Sequence, residues 1–398
     1  MLMATRPPAS APATSAVPLV DLHAQYLTIR AEVDAAIAEV IQTSSFIRGP
    51  RVEEFERAFA GAIGVEHCIS CGNGTDALYI VMHALGLRPG DEVITTAHSW
   101  IATSETITQA GGAVVFCDTD ADTFTIDAER IEALITPRTV GIIPVHLYGQ
   151  PADLDKILAI ADRHGLWVIE DCAQAHLATY KGRMVGSFGV AGTFSFYPGK
   201  NLGAMGDAGA IVTNDAALAR RMAMFARHGG VTKGDHQIEG INSRLDGLQA
   251  AVLTVKLKHL PVWTKARQAI AAQYSELLST CEDLITPNIR PGSSHVFHHY
   301  VVCHEKRDAL AAHLMQRGVQ TAINYPVALP FLPAYARLAH SPHDFPVAHR
   351  HQSQILSLPI FPEITQAQIK HVVDAVQSFG RRRQRKAWEG DARAVRPR

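Results

Sequence analysis

The chain has 398 residues, a formal net charge of −1 and 47% hydrophobic residues. That length accommodates two domains with a substantial core, while the near-neutral charge offers no basic field for nucleic acid. No apolar run is long enough to span a bilayer, and the six cysteines are too few for a disulfide scaffold, so a globular cytoplasmic protein is expected.

Residues 1–16 are rich in Ala, Pro and Ser without the apolar core of a secretory signal, and are expected to form a disordered leader. From Asp21 to Gln42, apolar Ile29, Val33, Ile37, Val40 and Ile41 recur every three or four residues, which predicts an amphipathic helix. Phe46 to Pro50 breaks that pattern, and Val52 to Ile63 resumes it with Phe55 and Phe59.

Helices and strands then alternate. His67 to Cys71 reads as a strand, Gly72-Asn73-Gly74-Thr75-Asp76 as a polar loop and Ala77 to Leu85 as a helix. Unpaired amides and the positive dipole end at such a helix start suit a phosphate, making Gly74 and Thr75 candidates; a plain helix cap by Asn73 or Thr75 is the competing reading. Cys68 and Cys71 form a CxxC, but no second pair or Cys/His cluster lies at zinc-finger spacing, and the 20 histidines show no HExxH, so no metal is expected. His295, His298, His299 and His304 read as surface, core or substrate-contact residues.

Glu92 to Thr96 is the next predicted strand, followed by a helix through Trp100 to Gln109 and a strand at Ala113 to Cys117. Trp100 falls at a strand's carboxyl end, where α/β proteins place ligands, and either stacks on a ligand ring or packs as a core aromatic. Val140 to His146 is a strand, Asp153 to His164 a helix and Leu166 to Ile169 a strand running into Glu170-Asp171. A carboxylate there is costly without a partner. Asp171 therefore fits either a pyridinium nitrogen or a structural salt bridge, and Glu170, on the opposite face, a supporting role.

Gly192 to Tyr197 is a strand stopped by Pro198-Gly199, so Lys200 leaves a strand end in the loop SFYPGKNLGAMGDAGA. Gly203, Gly206 and Gly209 are expected to permit close approach and positive φ. An amine that must bond to an aldehyde has to be partly unprotonated near neutral pH, and desolvation or a nearby cation shifts a lysine that way. A solvated surface lysine is the alternative.

The alternation predicts a mostly parallel sheet flanked by helices over 17–256. Residues 257–380 read as a smaller α+β domain: a helix through Trp263 to Leu278, a strand at His299 to Cys303, a helix at Arg307 to Arg317, the proline-rich Tyr325 to Pro333 and a helix at Gln366 to Phe379. Residues 381–398 form a basic tail, expected to be solvated.

GNGTDAL at Gly72 to Leu78, PVHLYGQ at Pro144 to Gln150, IEDCAQAH at Ile169 to His176, FSFYPGKNLGAMGDAGA at Phe194 to Ala210 and NSRLDGLQAAVL at Asn242 to Leu253 stand in the chain in that order. Together they resemble the pyridoxal-phosphate-dependent nucleotide-sugar aminotransferases of the DegT/DnrJ/EryC1/StrS family, from Val17 to about Phe379. The resemblance implies a fold-type-I aminotransferase in which Lys200 forms the Schiff base with pyridoxal 5'-phosphate, Asp171 pairs with the pyridine nitrogen and Gln174 lies near the ring hydroxyl. It implies that Trp100 stacks on the ring and that Gly74, Thr75 and Ser195 hold the phosphate. Asn242 joins them from the other subunit of a homodimer, while Asn324 and Tyr325 lie on the substrate side. Asn324 stands where many members have histidine, Leu177 where glycine is usual and Val190 where aspartate is common. Those departures touch substrate contacts and leave the lysine and aspartate in place. Members that dehydrate carry histidine instead of the lysine.

The implied reaction is ping-pong amino transfer from L-glutamate to C3 of a dTDP-3-oxo-6-deoxyhexose, giving a dTDP-3-amino-3,6-dideoxyhexose for a surface glycan, such as lipopolysaccharide O-antigen, or a glycoside. The alternatives are a UDP-linked 3-oxo-N-acetylhexosamine acceptor, a small keto acid acceptor and a non-catalytic cofactor-binding regulator.

Overall fold

The computed structural model describes residues 16–379 apart from residue 233; the expected leader, but for residue 16, and the whole basic tail lie outside the described residues. Helices α1 (Leu22–Thr28) and α2 (Arg30–Thr43) replace the single helix expected over 21–42, because the backbone at Ile29 leaves helical geometry (φ −127°, ψ 16°). Helix α3 (Pro50–Ile63) starts with proline at its first position, where no amide is missed, and ends on Gly64 in left-handed geometry. Its stripe of Val52, Phe55, Phe59 and Ile63 is buried.

Strand β1 (His67–Cys71) leads into α4 (Gly74–Leu85), and β2 (Glu92–Thr96), α5 (Ala102–Gln109) and β3 (Ala113–Cys117) follow. Next come α6 (Ala128–Ile131), β4 (Thr139–Ile143), α7 (Leu154–His164) and β5 (Trp167–Asp171). Two short strands, β6 (Thr179–Tyr180) and β7 (Arg183–Met184), precede β8 (Ala191–Ser195), β9 (Gly209–Thr213) and α8 (Ala216–Phe225). The main sheet has seven strands in the order β1-β9-β8-β5-β4-β2-β3. The five from β8 to β3 pair in parallel, and β9 is antiparallel to both its neighbours. All five residues of β2 are buried, as a strand covered by helices on both faces requires.

Helix α9 (Gly247–Leu278) is 32 residues long, contains Pro261 and packs on α2 and α3. The division expected after residue 256 falls inside this helix. Beyond it, β10 (Ser293–Ser294) joins β6, while β11 (Tyr300–Cys303) pairs with β12 (Ile355–Leu358). Helices α10 (Arg307–Met315), α11 (Pro346–Gln354) and a last helix over 366–379 surround that pair. The expected mostly parallel sheet is present; β6, β7, β9, β10, β12, α6, α8 and α11 are additions.

Two expectations about the lysine loop change. Strand β8 stops at Ser195, so Lys200 sits on a turn five residues on, its amide donating to the Tyr197 carbonyl at 2.8 Å. None of Gly203, Gly206 and Gly209 has positive φ. What they supply is close approach: a Cβ on Gly203 would lie 2.2 Å from the Pro198 carbonyl oxygen, and one on Gly209 2.3 Å from that of Asn73.

Phe194 and Phe196 turn into the core while Ser195 faces the other way. Both rings meet Phe59 edge-on, at 4.9 and 5.2 Å between centroids. Phe59→Ala is therefore expected to lower stability by about 3–5 kcal/mol, read as a lower urea midpoint.

Candidate active site

Sheet register gathers the site. In β8, Thr193 lies opposite Asp171 and Ser195 opposite Gly209, which in turn lies opposite Cys71 at the end of β1. The chain leaving β1 thus enters α4 beside Ser195. Asn73 caps that helix, its Oδ1 accepting the Asp76 amide at 2.8 Å, while Gly74 and Thr75 line the cavity. The cap and phosphate readings of this loop therefore use different residues. A Cβ on Gly74 would come within 2.6 Å of the Ser195 Cβ, so the two backbones approach as only glycine permits. First-turn amides, which have no intrahelical acceptor, and a serine hydroxyl form a cradle for an anion.

Lys200 and Asp171 line the same cavity of about 840 Å³. Asp171 is buried, and its carboxylate accepts from the Thr103 hydroxyl at 2.8 Å and the Ala173 amide at 3.1 Å. Burial nevertheless raises its pKa, against the pull of those bonds and of the Lys200 charge. Burial lowers the Lys200 amine to about 8, with the Asp171 charge acting in the opposite sense. A substantial fraction of neutral amine is therefore present near pH 7–8, as covalent chemistry requires.

Gln174 is fixed at both ends: its Oε1 accepts the Tyr148 amide at 2.6 Å and its Nε2 donates to the Tyr325 hydroxyl at 3.0 Å. The Tyr148 hydroxyl donates to the Asn324 carbonyl, and the Asn324 side chain accepts from Ser357 at 2.9 Å. The Trp100 ring is 57% exposed, so it is not a core aromatic, and its centroid lies 5.5 Å from that of Tyr325. Asn242 is exposed, bridges Arg227 and does not line this chain's cavity. His298 and His299 do line it, both kept neutral by burial, the latter near pKa 3.

Glu170 points away from the cavity. Its carboxylate accepts the amides of Gly186, Phe188 and Gly189 at 2.7–2.9 Å and the Nε2 hydrogen of His146, whose Nδ1 accepts from Ala152. Cys172 completes a ligating trio with these two, but the carboxylate and both imidazole nitrogens are already committed to hydrogen bonds. The Cys68 and Cys71 thiols are driven up by burial, away from thiolate reactivity. Sequence reasoning missed Thr103 and Tyr148, whose partners lie 68 and 26 residues away in the chain.

A lysine, a carboxylate and free helix-start amides on one cavity are the groups that a pyridoxal phosphate would need. The DegT/DnrJ/EryC1/StrS aminotransferase family matches residues 27–377. The chain is 45% identical to the "Pleiotropic regulatory protein" of Geobacillus stearothermophilus, over 92% of this chain and 99% of that one. It is 43% identical to the dTDP-3-amino-3,4,6-trideoxy-alpha-D-glucose transaminase of Streptomyces venezuelae, over 93% and 97%. The crystal structure of S. venezuelae DesV in complex with a ketimine intermediate matches with a TM-score of 0.90 at 43% identity, covering 92% of this chain and 99% of that one. The chain therefore belongs to the DegT/DnrJ/EryC1/StrS aminotransferase family. It is a fold-type-I α/β aminotransferase whose cofactor is pyridoxal 5'-phosphate.

The residues fit that cofactor. The start of α4 at Gly74 and Thr75 and the Ser195 side chain line the same cavity as Asp171, Trp100 and Lys200, placing anion-binding groups beside the amine and the carboxylate. Because the Asp171 charge raises the Lys200 pKa, Asp171→Asn is expected to drop the amine further below about 8. Competitive labelling of the cofactor-free protein across pH, followed by peptide mass spectrometry, reads that shift.

Proposed function

We propose that this chain transfers the amino group of L-glutamate to C3 of a dTDP-3-oxo-6-deoxyhexose, giving a dTDP-3-amino-3,6-dideoxyhexose for a surface glycan such as O-antigen or for a glycoside. The observation that carries the chemistry is Lys200 and Asp171 lining one cavity. The nucleotide and the carbon are supported by the 43% identical Streptomyces relative, whose own product is a dTDP-3-amino sugar.

In this reading the first-turn amides of Gly74 and Thr75 and the Ser195 hydroxyl bind the cofactor's phosphate. Trp100 covers the ring, Gln174 lies near its hydroxyl, and Asp171 holds the proton on the pyridine nitrogen. When bound, the cofactor supplies an electron sink for charge developing at the donor's α-carbon. The Lys200 Nζ removes the α-proton from glutamate and later delivers a proton to the sugar carbon that receives nitrogen. Tyr325 and Asn324 face the sugar. Burial raises the Tyr325 hydroxyl, so it remains a neutral donor.

The site is completed in a homodimer, with Asn242 of the partner subunit reaching the phosphate. The exposure of Asn242 supports this, as do the exposed apolar Ile47, which bridges Asp246, and Met205, whose amide donates to Gln249 near the start of α9. A cytoplasmic setting suits these soluble substrates; among the described residues no helix is long and apolar enough to cross a membrane.

Purified protein is expected to aminate the dTDP-linked ketosugar with glutamate, in preference to a UDP-linked 3-oxo-N-acetylhexosamine or a small keto acid. Preference for either competitor, read by product mass, contradicts the substrate assignment. Lys200→Ala should lower turnover by about 10³-fold or more while leaving the fold. A variant as active as the parent contradicts the mechanism, and a parent inactive on every acceptor points to a regulator.

A further inference from the structure

Helix α9 carries one buried stripe at helical spacing: Lys256, Leu260, Trp263 and Arg267, each under 10% exposed. The two cations on it hold different segments beside the cavity. Arg267 donates through Nη1 to the carbonyls of Phe297 at 3.2 Å and Ile360 at 2.9 Å. Lys256 donates through Nζ to the Gly203 carbonyl at 2.7 Å, three residues from Lys200. Glu363 lies close enough to lower neither amine nor guanidinium but to raise both against burial.

The loop carrying Lys200 is a closed turn. Gly203 folds back over Pro198, the Ala204 amide donates to the Phe196 carbonyl at 2.8 Å, and Asn201 donates through Nδ2 to the Val296 carbonyl at 3.0 Å. Lys256 holds the returning limb at Gly203. Burying a lysine is costly, and burial has already lowered its amine to about 8. The hydrogen bond that its amine makes is to the Gly203 carbonyl, and the Glu363 charge favours the protonated donor.

We propose that Lys256 is a positioning residue for Lys200: through the Gly203 carbonyl it fixes the turn that aims the catalytic amine into the cavity. The proposal rests on Lys200 being the amine that reacts. Small displacements of a reacting group cost about 10²-fold in rate, which sets the scale of the effect.

The test compares Lys256→Met, which removes the donor at similar volume, with Lys256→Arg, which keeps one, and with Lys200→Ala as control. Lys256→Met is expected to lower kcat by about tenfold to a hundredfold with KM for the nucleotide-sugar nearly unchanged. In the cofactor-free protein it should move the pH midpoint for labelling Lys200 and speed amide exchange over 197–204, and Lys256→Arg should restore kcat in part. If Lys256→Met does not fold, Lys256→Gln, polar but one bond too short, replaces it on the same readouts. Parental kcat, or a lower melting temperature with the Lys200 midpoint unmoved, overturns the positioning role. A Lys200→Ala protein that still turns over refutes the reading of Lys200 instead, whereas an inactive Lys200→Ala beside a normal Lys256→Met refutes this inference alone.

Discussion

One amine and one carboxylate withdrawn from water into the same cavity set the terms for the rest of the molecule. Burial alone drives Lys200 toward the neutral form and Asp171 toward the protonated one, and the charge of each opposes the shift of the other. Such a pair relaxes by drawing water in or moving apart unless the backbone prevents it. Here Asp171 ends a strand locked in register with Thr193, and Lys200 sits on a turn tied at Tyr197, Gly203 and Asn201. The sheet and the turn keep both groups on the cavity wall, where a bound cofactor could meet them.

The cradle depends on the same economy of space. Gly209 lets β9 pass under the Asn73 carbonyl, and Gly74 lets α4 start against Ser195. A side chain at either position would push the anion site away from the strand edge that carries Asp171. Helix α9 then braces the far side of the lysine turn while reaching, eleven residues on, the segments that close the cavity near His298.

Much of this was legible in the sequence where the signal is local. Strands β1, β2 and β3 fall on the predicted residues, because short β-branched and apolar runs between turns specify strands without help. Lys200, Asp171, Gly74, Thr75 and Trp100, placed by strand ends and a helix start, and Ser195, Gln174, Asn324 and Tyr325, implied by the family resemblance, all line the cavity. Strand β9 was hidden because Gly209-Ala210 reads as loop, and only pairing with β1 and β8 makes it a strand. The break at Ile29 left the apolar spacing intact and so left no trace in the pattern. Thr103, Tyr148 and Lys256 were out of reach for a different reason: each acts through long-range hydrogen bonds, and nothing in a threonine, tyrosine or lysine on its own segment announces the partner.

The central claim is that a single amine, at position 200, bonds to the cofactor. Borohydride reduction of the cofactor-loaded protein, followed by digestion and mass spectrometry, tests this directly. The account predicts a pyridoxyl group on the peptide containing Lys200 and on no other. A label on Lys256 or any other lysine, with Lys200 unmodified, contradicts it.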